Sequence, residues 1–246
     1  MRLVAWNCAQ RAHDKLEALL SLRPDVAVIP ECAHPEVLLA KAPQLGAPWG
    51  DASIDWVGES RQKGLAVIAF GPYRLERAAE YRADLRHFLP VRVTGPESCN
   101  LLATWAFMPG PGGPAAPNSP ALVMAVEHYR EFLSAPFAVM AGDFNGGLTF
   151  DTPRRPLFGA LVQALERVGL RSSIHRHRGW AFGQEPEPTF FDRSRQDLPF
   201  HLDYVFCNRD AAHVRAASVG ARVDWRRLSD HMPLVVEWHP TELGSQ

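Results

Sequence analysis

The sequence predicts an α/β fold: a single domain of four layers, an α/β/β/α sandwich of two packed, mainly antiparallel or mixed sheets flanked by helices. Three observations carry it. The chain opens as strand, helix, strand, with Arg2 to Asn7 and Asp25 to Ile29 rich in Val, Ile and Leu, and Leu16, Leu19, Leu20 and Leu22 between them at helical spacing. Three apolar runs then follow with only short polar segments between them, which favours antiparallel pairing over helical crossovers. The second half repeats the order with variation, helices first and short strands after them. Two strand-rich halves with helices outside each are satisfied by two sheets packed face to face. The 246 residues suffice for one large domain or two small ones at about 100 to 200 residues per domain, and residues 1–246 are read as one.

The elements follow in order. A second helix starts after His34 and ends before Pro43, and Gly46 to Gly58, with Pro48, Trp49 and Trp56, reads as a loop. The three apolar runs are Gly64 to Phe70, Phe88 to Val93 and Leu101 to Phe107. Met108 to Pro120 holds so many Pro and Gly residues that it fits neither a helix nor a central strand, and it reads as a loop rather than an interdomain linker. Ser119 is placed to cap a helix carrying Leu122, Val126, Tyr129 and Leu133, and Phe137 to Ala141 is a buried strand. A helix with Leu157, Leu161, Leu165 and Val168 ends at Gly169. Strands are expected near Leu170 to Ile174, Thr189 to Phe191, His201 to Cys207, Val219 to Val223 and Leu234 to Trp238.

Composition removes several classes. Apolar types make up 46% and charged types 22%, which excludes a disordered, collagen-like or disulfide-stapled chain. No apolar run approaches the roughly 18 residues of a membrane span. Lys plus Arg (26) nearly balances Asp plus Glu (27), so a polyanionic partner must be held by a local patch or a metal ion. Met1 leads directly into a strand-like stretch, so no signal peptide and a cytoplasmic location are expected. Four cysteines, at 8, 32, 99 and 207, lack zinc-motif spacing and are expected as reduced core thiols.

Strands in α/β proteins present their ends to a common edge where loops build a site. Five points stand out: Asn7 ending the first strand, Glu31 after the second, Gly142-Asp143-Phe144-Asn145, Ser229-Asp230-His231, and Asp203 inside the apolar run His201 to Phe206. Each has a structural reading of its own. Asn7 can cap a turn, Glu31 can start a helix, Asp143 and Asn145 can form an Asx turn, Asp203 can sit in a buried salt bridge and His231 can be a core histidine. Their joint order shifts the balance towards a site.

Taken together, Trp6-Asn7, Pro30-Glu31, Lys63-Gly64-Leu65-Ala66-Val67, Gly142-Asp143-Phe144-Asn145, Leu202-Asp203-Tyr204-Val205-Phe206 and Ser229-Asp230-His231 resemble the endonuclease/exonuclease/phosphatase superfamily. Its members include exonuclease III, deoxyribonuclease I, inositol polyphosphate phosphatases and bacterial sphingomyelinases. The resemblance runs from Met1 to about Trp238, and the family's four-layer sandwich agrees with the layer count reached from periodicity. It implies a divalent-metal-dependent phosphodiester hydrolase, with a nuclease acting on DNA or RNA as the first specific expectation. Glu31 with Asn7 would hold Mg²⁺ or Mn²⁺, as hard oxygen ligands do, and Asp230 would organise the metal side. His231 would contact the phosphate or transfer a proton, held by Asp203. Asp143 would orient or deprotonate the attacking water, and Asn145 would donate to the phosphate. Cys8 and Cys32 should point away from the site.

The sequence departs from the family at Trp105, where many members have Tyr or His reaching the substrate phosphate. Indole cannot accept a proton or carry charge, so Trp105 either stacks on a substrate ring or is a core aromatic. His201, where the family often has Arg or Lys, reads as a pH-sensitive residue at the site's edge or a surface histidine. Pro188-Thr189-Phe190-Phe191-Asp192-Arg193 superficially matches an inositol phosphatase signature, but Asp203 already fills that catalytic place, so the piece reads as the segment before the Asp203 strand. Arg171, His175, Arg176, His177 and Arg178 form a local basic cluster that either grips phosphates, as a nucleic acid strand would require, or is a solvated turn. The near-neutral charge favours a short single strand, an end, a nucleotide or another small phosphodiester over long duplex. Two alternatives stand beside the nuclease: a phosphodiesterase or phosphatase acting on a small phosphate ester (nucleotide, inositol phosphate or lipid headgroup), and a non-catalytic binding module. No obligate protein partner is implied.

Overall fold

The computed structural model describes residues 1–40, 49–106 and 120–239. In chain order the first strands are β1 (Arg2–Ala5), β2 (Val26–Cys32), β3 (Ser53–Ser60), β4 (Lys63–Ala69), β5 (Arg74–Arg77), β6 (Phe88–Thr94), β7 (Cys99–Trp105) and β8 (Ala138–Asp143). They are followed by β9 (Arg171–Ser172), β10 (Phe190–Asp192), β11 (Leu198–Phe200), β12 (Asp203–Cys207), β13 (Val214–Val219) and β14 (Leu234–Trp238). Helices are α1 (Leu16–Ser21), α2 (Pro35–Leu39), α3 (Pro120–His128), α4 (Leu157–Arg167), α5 (Ser173–Arg178) and α6 (Arg222–Trp225). One six-stranded sheet has the order β13-β14-β1-β2-β4-β3, the other β5-β6-β7-β8-β12-β9, and β10 and β11 form a separate hairpin. Each large sheet is mixed, with β1–β2 and β7–β8 the parallel pairs.

Period-two alternation creates the layers. Leu3, Ala5, Val26, Val28, Leu65 and Val67 from the first sheet meet Leu101, Ala103, Val139, Ala141 and Val205 from the second in one buried core between the sheets. The intervening residues face outward. Val4, Trp6, Ala27, Ile29 and Ile68 pack under Leu16 and Leu19 of α1, Leu38 of α2 and Trp225 of α6. Leu102, Met140, Tyr204 and Phe206 pack under Leu122 and Val126 of α3 and Phe158, Leu161 and Leu165 of α4. The expected α/β/β/α order is therefore the one observed. Burial of strands on both faces explains why their sequences read as nearly unbroken apolar runs.

The structure corrects several boundaries. Ser53–Ser60 of the expected loop is the edge strand β3; Asp55 and Gly58 interrupt its apolar pattern, while Trp56 is fixed by its indole donating to the Cys32 carbonyl at 3.1 Å. The short polar strand β5 had no sequence signal. Near Leu170 to Ile174 only two residues pair, because β9 reaches only Phe206 and Cys207 of β12; the chain then turns into α5, whose Ile174 enters the inter-sheet core. The strand expected over Val219 to Val223 ends at Val219, and residues 222–225 are helical, with Trp225 set edge-on to Trp6. The helix end before Pro43, the loop at Pro48, Phe107, the loop at 108–119 and the Ser119 cap lie outside the described residues. All four cysteines are buried and free.

Gly142 shows how tightly the second sheet is built at the end carrying the polar residues. Its φ is +137°, and a Cβ there would stand 1.9 Å from the Thr104 carbonyl oxygen on the neighbouring parallel strand. Gly142→Ala is expected to cost about 3 kcal/mol or more through strain and overlap. Urea unfolding checks this; a loss within about 0.5 kcal/mol, typical of a surface change, contradicts it.

Candidate active site

Strand alternation brings the predicted polar residues to one end of the inter-sheet space. Residues 3 and 5, 139 and 141, and 205 and 207 lie in the inner core, so Asn7, Asp143 and Asp203 share that parity at the strand ends. Asp203 lies directly opposite Asp143 across β12 and β8, and Trp105 stands beside Asp143 on the other flank. Asp143 and Asp203 are completely buried, and Asn7 and His231 nearly so.

His231 Nδ1 is 2.8 Å from Asp203 Oδ2, and its Nε2 is 4.0 Å from Asp143 Oδ2. A carboxylate partner at Nδ1 fixes a proton there and turns Nε2 towards Asp143. Asn7 Nδ2 donates to Asp143 Oδ2 at 2.9 Å, and the Asn145 backbone N–H donates to Asp143 Oδ1 at 2.8 Å in an Asx turn. Asn145 Nδ2 lies 3.2 Å from Asp143 Oδ2, and its φ of +44° suits an asparagine.

Two hydroxyls hold this frame. Ser229 Oγ donates to the Asn7 carbonyl at 2.8 Å and accepts from the His231 N–H at 3.0 Å. Thr189 Oγ1 accepts from the N–H groups of Leu202 and Asp203 at 2.9 and 3.0 Å. The Trp6 indole donates to the His231 carbonyl at 3.0 Å. Sequence reading assigned none of these three a role, although Ser229 and Trp6 stood within the blocks that carry Asp230 and Asn7.

The environment separates the titratable groups. Burial pushes Asp143 up to about 7, reinforced by the like charge of Asp203 facing it, while His231 and the donors Asn7 and Asn145 pull the other way. For His231 burial favours the neutral ring, but it is outweighed by the charges of Asp203 and Asp143, the hydrogen bond to Asp203 and the charge of Asp230, which together push it up to about 10. At neutral pH the imidazole keeps its proton, while Asp143 can take or release one.

Glu31 is the extra residue of a bulge in β2, with φ +59°, between the pairs Pro30–Leu65 and Cys32–Gly64. Its carboxylate is half-buried and lies 3.3 Å from Lys63 Nζ, which sits 5.0 Å from the centre of the Trp105 ring. Asp230 is partly buried beside Ser229, Oδ1 to Oγ 3.5 Å. The sequence model of the endonuclease/exonuclease/phosphatase family matches residues 4–231. The chain belongs to that family.

Solved structures share the fold of this endonuclease/exonuclease/phosphatase protein. A 3'-5' exonuclease from Neisseria meningitidis is 18% identical, with a TM-score of 0.66 over 97% of this chain and 99% of that one. An AP endonuclease from Archaeoglobus fulgidus is 15% identical, with a TM-score of 0.67 and the same coverage. A Neisseria 3' phosphatase bound to product DNA hairpin is 17% identical, with a TM-score of 0.63 over 97% of this chain and 99% of that one. No curated protein matches the chain by sequence. Membership makes the protein a divalent-metal-dependent phosphoesterase. No helix among the described residues is long and apolar enough to cross a membrane.

The residues present suit a hard divalent cation. Asp143, Asp203 and His231 offer ligand atoms within 4.8 Å of one another, and Asp203 Oδ1 is buried with no hydrogen-bond partner among the described residues. The remaining donors, Glu31, Asp230 and the Asn7 amide, are oxygen ligands. Burial pushes the Cys8 thiol up to about 12 and Cys32 well above its ordinary value, so neither competes as a thiolate.

The expected substrate-contacting residues fare differently. His201 is not at an open edge: it is buried, accepts or donates at the Glu187 carbonyl (3.1 Å), and burial pushes it down to about 4. His175 is also buried, bonded to Ser172 Oγ at 2.7 Å and Glu185 Oε1 at 3.1 Å. Arg176 lies 3.6 Å from Asp210, past the end of β12 remote from Asp203, and Arg178 pairs with Glu187 at 3.0 Å. The cluster is thus not a loop: four of its residues lie on α5, where His175, Arg176 and Arg178 meet the acids Glu185, Asp210 and Glu187. Trp105 is buried, with Lys63 above its ring and His87 beside it, which fits a core aromatic and leaves no face for a substrate ring. A cavity of about 660 Å³ lined by Arg92, Asn100, Phe137 and Arg209 opens at the opposite end of the second sheet; Arg209 there is taken by Glu97 and Asn100 by the Phe132 carbonyl.

Two pH effects follow. In the metal-free protein, NMR titration should show His231 protonated to about pH 9, and Asp203→Asn should bring its titration down, since burial is then opposed only by the charges of Asp143 and Asp230; titration of the wild-type ring near its ordinary value contradicts this. His201 works in the opposite sense. Its pKa is depressed, so its neutral form stabilises the fold above the ordinary histidine value of about 6.5, and that contribution is lost as pH falls towards about 4. In urea unfolding the stability gap between wild type and His201→Gln should narrow by about 2 kcal/mol from pH 7 to pH 5. A gap constant over that range contradicts the assignment.

Proposed function

We propose that the protein is a Mg²⁺- or Mn²⁺-dependent nuclease that hydrolyses phosphodiester bonds of DNA or RNA. The observation that carries this reading is the buried pair of opposed carboxylates, Asp143 and Asp203, of which only Asp203 is hydrogen-bonded to the His231 imidazole. Environments that push two like groups apart assign them different tasks. Asp143, raised to about 7 and gripped by neutral amides, orients the attacking water and accepts its proton. His231, kept protonated by Asp203, donates from Nε2 to a nonbridging phosphate oxygen and offsets the charge that grows there. Asn145 supplies a neutral donor to the same phosphate by turning its amide from Asp143.

Glu31 would hold the divalent cation with Asn7 and Asp230 beside it. Bound there, the cation supplies positive charge to the phosphate and to the departing oxygen. The bulge at Glu31 serves this by lifting its carboxylate out of strand register. Phe190 lies 4.6 Å from the His231 ring, and Phe200 stacks on Phe150 at 4.9 Å, so an apolar wall borders the reacting position. Such a wall can receive a base or sugar without sequence preference.

A second reading, hydrolysis of a small phosphate ester, is favoured by the pairing of Arg176 with Asp210 and of Arg178 with Glu187, which offsets positive charge along α5. It also agrees with a net charge of -1. Both readings share the same reacting residues.

Labelled single-stranded DNA, duplex DNA, RNA and free nucleotides incubated with Mg²⁺, Mn²⁺ or chelator decide between them. Cleavage of oligonucleotides is expected with metal only, and Asp143→Asn should lower kcat by about a hundredfold to ten-thousandfold while leaving the fold intact. Hydrolysis of nucleotides with every oligonucleotide intact overturns the nuclease reading in favour of the second.

A further inference from the structure

Positive charge in excess of its acids borders the site on the Asp230 side. There β10 runs alongside the segment that ends in Asp230 and His231: the Phe191 N–H donates to the Asp230 carbonyl at 2.9 Å, and Phe190 bridges His231. Away from the site the two segments stay together, and the Arg193 side chain donates to the Arg226 carbonyl at 2.8 Å. Arg193 is two residues past Phe191, so its backbone lies within about 7 Å of the residue that touches Asp230. Burial pulls the Lys15 ammonium down, and the charges of Asp230 and Arg193 both act on it, so Arg193 stands near the site's own edge. Residues 192–197 and 222–227 together carry five arginines and three aspartates, in a chain whose net charge is -1.

Their pairing leaves that excess in place. Asp197 alone receives both Arg222 and Arg226, the latter at 3.1 Å, and Arg195 lies 3.5 Å from Asp192. Arg193 meets a carbonyl instead of an acid, and exposed Arg227 has no partner among the described residues. Along β3, by contrast, each arginine has an acid of its own: Arg61 meets Glu36, Arg77 meets Asp55 and Arg86 meets Glu59. The turn that presents Asp197 is a constrained one. Gln196 and Asp197 both have left-handed backbone, φ +57° and +60°, a conformation that glycine normally supplies. It sets one carboxylate against two guanidinium groups, and Arg222 also lies over the Phe191 ring, 4.7 Å from its centre. The arginines are thereby held on short fixed elements without being neutralised, the state in which a guanidinium best meets phosphate oxygens. We propose that this face, with Arg193, Arg226 and Arg227 as its phosphate contacts, carries the nucleic-acid strand on one flank of the scissile bond. The strand leaves the site past Asp230, between α6 and the turn that joins β10 to β11. A small phosphate ester ends before it reaches these arginines. This rests on the nuclease reading of the same site.

The test measures binding by fluorescence anisotropy, with the full chain carrying Asp143→Asn, Mg²⁺ and a labelled single strand of DNA of about twelve nucleotides. Arg193→Gln, Arg226→Gln and Arg227→Gln combined should weaken binding by about ten- to a hundredfold at about 50 mM salt. They should also flatten the slope of log affinity against log salt by about 2, at roughly 0.7 per phosphate. Arg227→Gln alone disturbs no described contact; it should weaken binding about two- to fivefold and flatten the slope by about 0.7. Arg130→Gln makes the same change of charge just past α3, in the opposite helix layer, and should stay within about twofold of the parent protein. Affinity and slope unchanged in the triple or the single variant overturn the proposal. A loss on Arg130→Gln as large as that of the triple variant overturns it too, because net charge alone then explains binding, as does failure of the parent protein to bind the strand at all. Cleavage by the wild type is scored separately. Cleavage together with binding indifferent to the three arginines sinks this face and keeps the nuclease reading, whereas binding that depends on them without any cleavage keeps the face and sinks that reading.

Discussion

Two carboxylates facing each other on adjacent antiparallel strands, both closed off from water, set the terms for everything around them. Asp143 and Asp203 occupy register-matched positions where side chains on one face come closest. Burial alone makes either charge costly, and their mutual repulsion adds to it. The protein answers unequally. Asp203 receives the imidazole of His231 on one of its oxygens, whereas Asp143 receives the neutral donors of Asn7 and Asn145. That inequality, not the presence of two acids, leaves Asp143 as a group that can exchange a proton near pH 7.

Holding such a pair requires segments from both sheets. Asn7 follows β1 and His231 precedes β14 in the first sheet, while Asp143 ends β8 and Asp203 begins β12 in the second. The parallel members, β1 with β2 and β7 with β8, deliver their C-terminal ends to one edge, and antiparallel β12 and β14 deliver their N-terminal ends to the same edge. A purely parallel pair of sheets would bring only strand ends of one kind there. The Ser229 hydroxyl then ties the two sides of the first sheet's contribution, Asn7 and His231, into one piece. Inter-sheet packing of Leu3, Val28, Val139 and Val205 fixes the gap across which these groups meet.

Interactions local in sequence were legible, and those settled by distant partners were not. Central strands announce themselves because both faces are buried, and a charged residue such as Asp143 or Asp203 at the end of such a run is conspicuous. Edge strands β3, β5 and β11 carry mixed polarity, since one side or one face meets water, and they resemble loops in one dimension. His175 and Arg176 looked like unopposed positive charge because Glu185 and Asp210, which meet them, lie 10 and 34 positions away. His201 looked accessible for the same reason: its burial among Tyr204, Trp180 and His175 is a property of the assembled layer. Lys63 gave a motif position, and its place between Glu31 and the Trp105 ring emerges only in the assembled fold.

Charge arithmetic at the site makes metal dependence a consequence of construction. Four carboxylates, Glu31, Asp143, Asp203 and Asp230, stand against His231, Lys63 and Lys15. An ionised site is already negative before an anionic phosphate arrives, so substrate alone meets repulsion at short range in a poorly hydrated pocket. A divalent cation held among these carboxylates, on Glu31 in the function proposed above, would reverse that sign where the anionic phosphate arrives. Because each ligand supplies the charge the other lacks, their binding is mutually favourable, and linkage requires the effect to be equal in both directions: phosphate must tighten the cation by the factor by which the cation tightens phosphate.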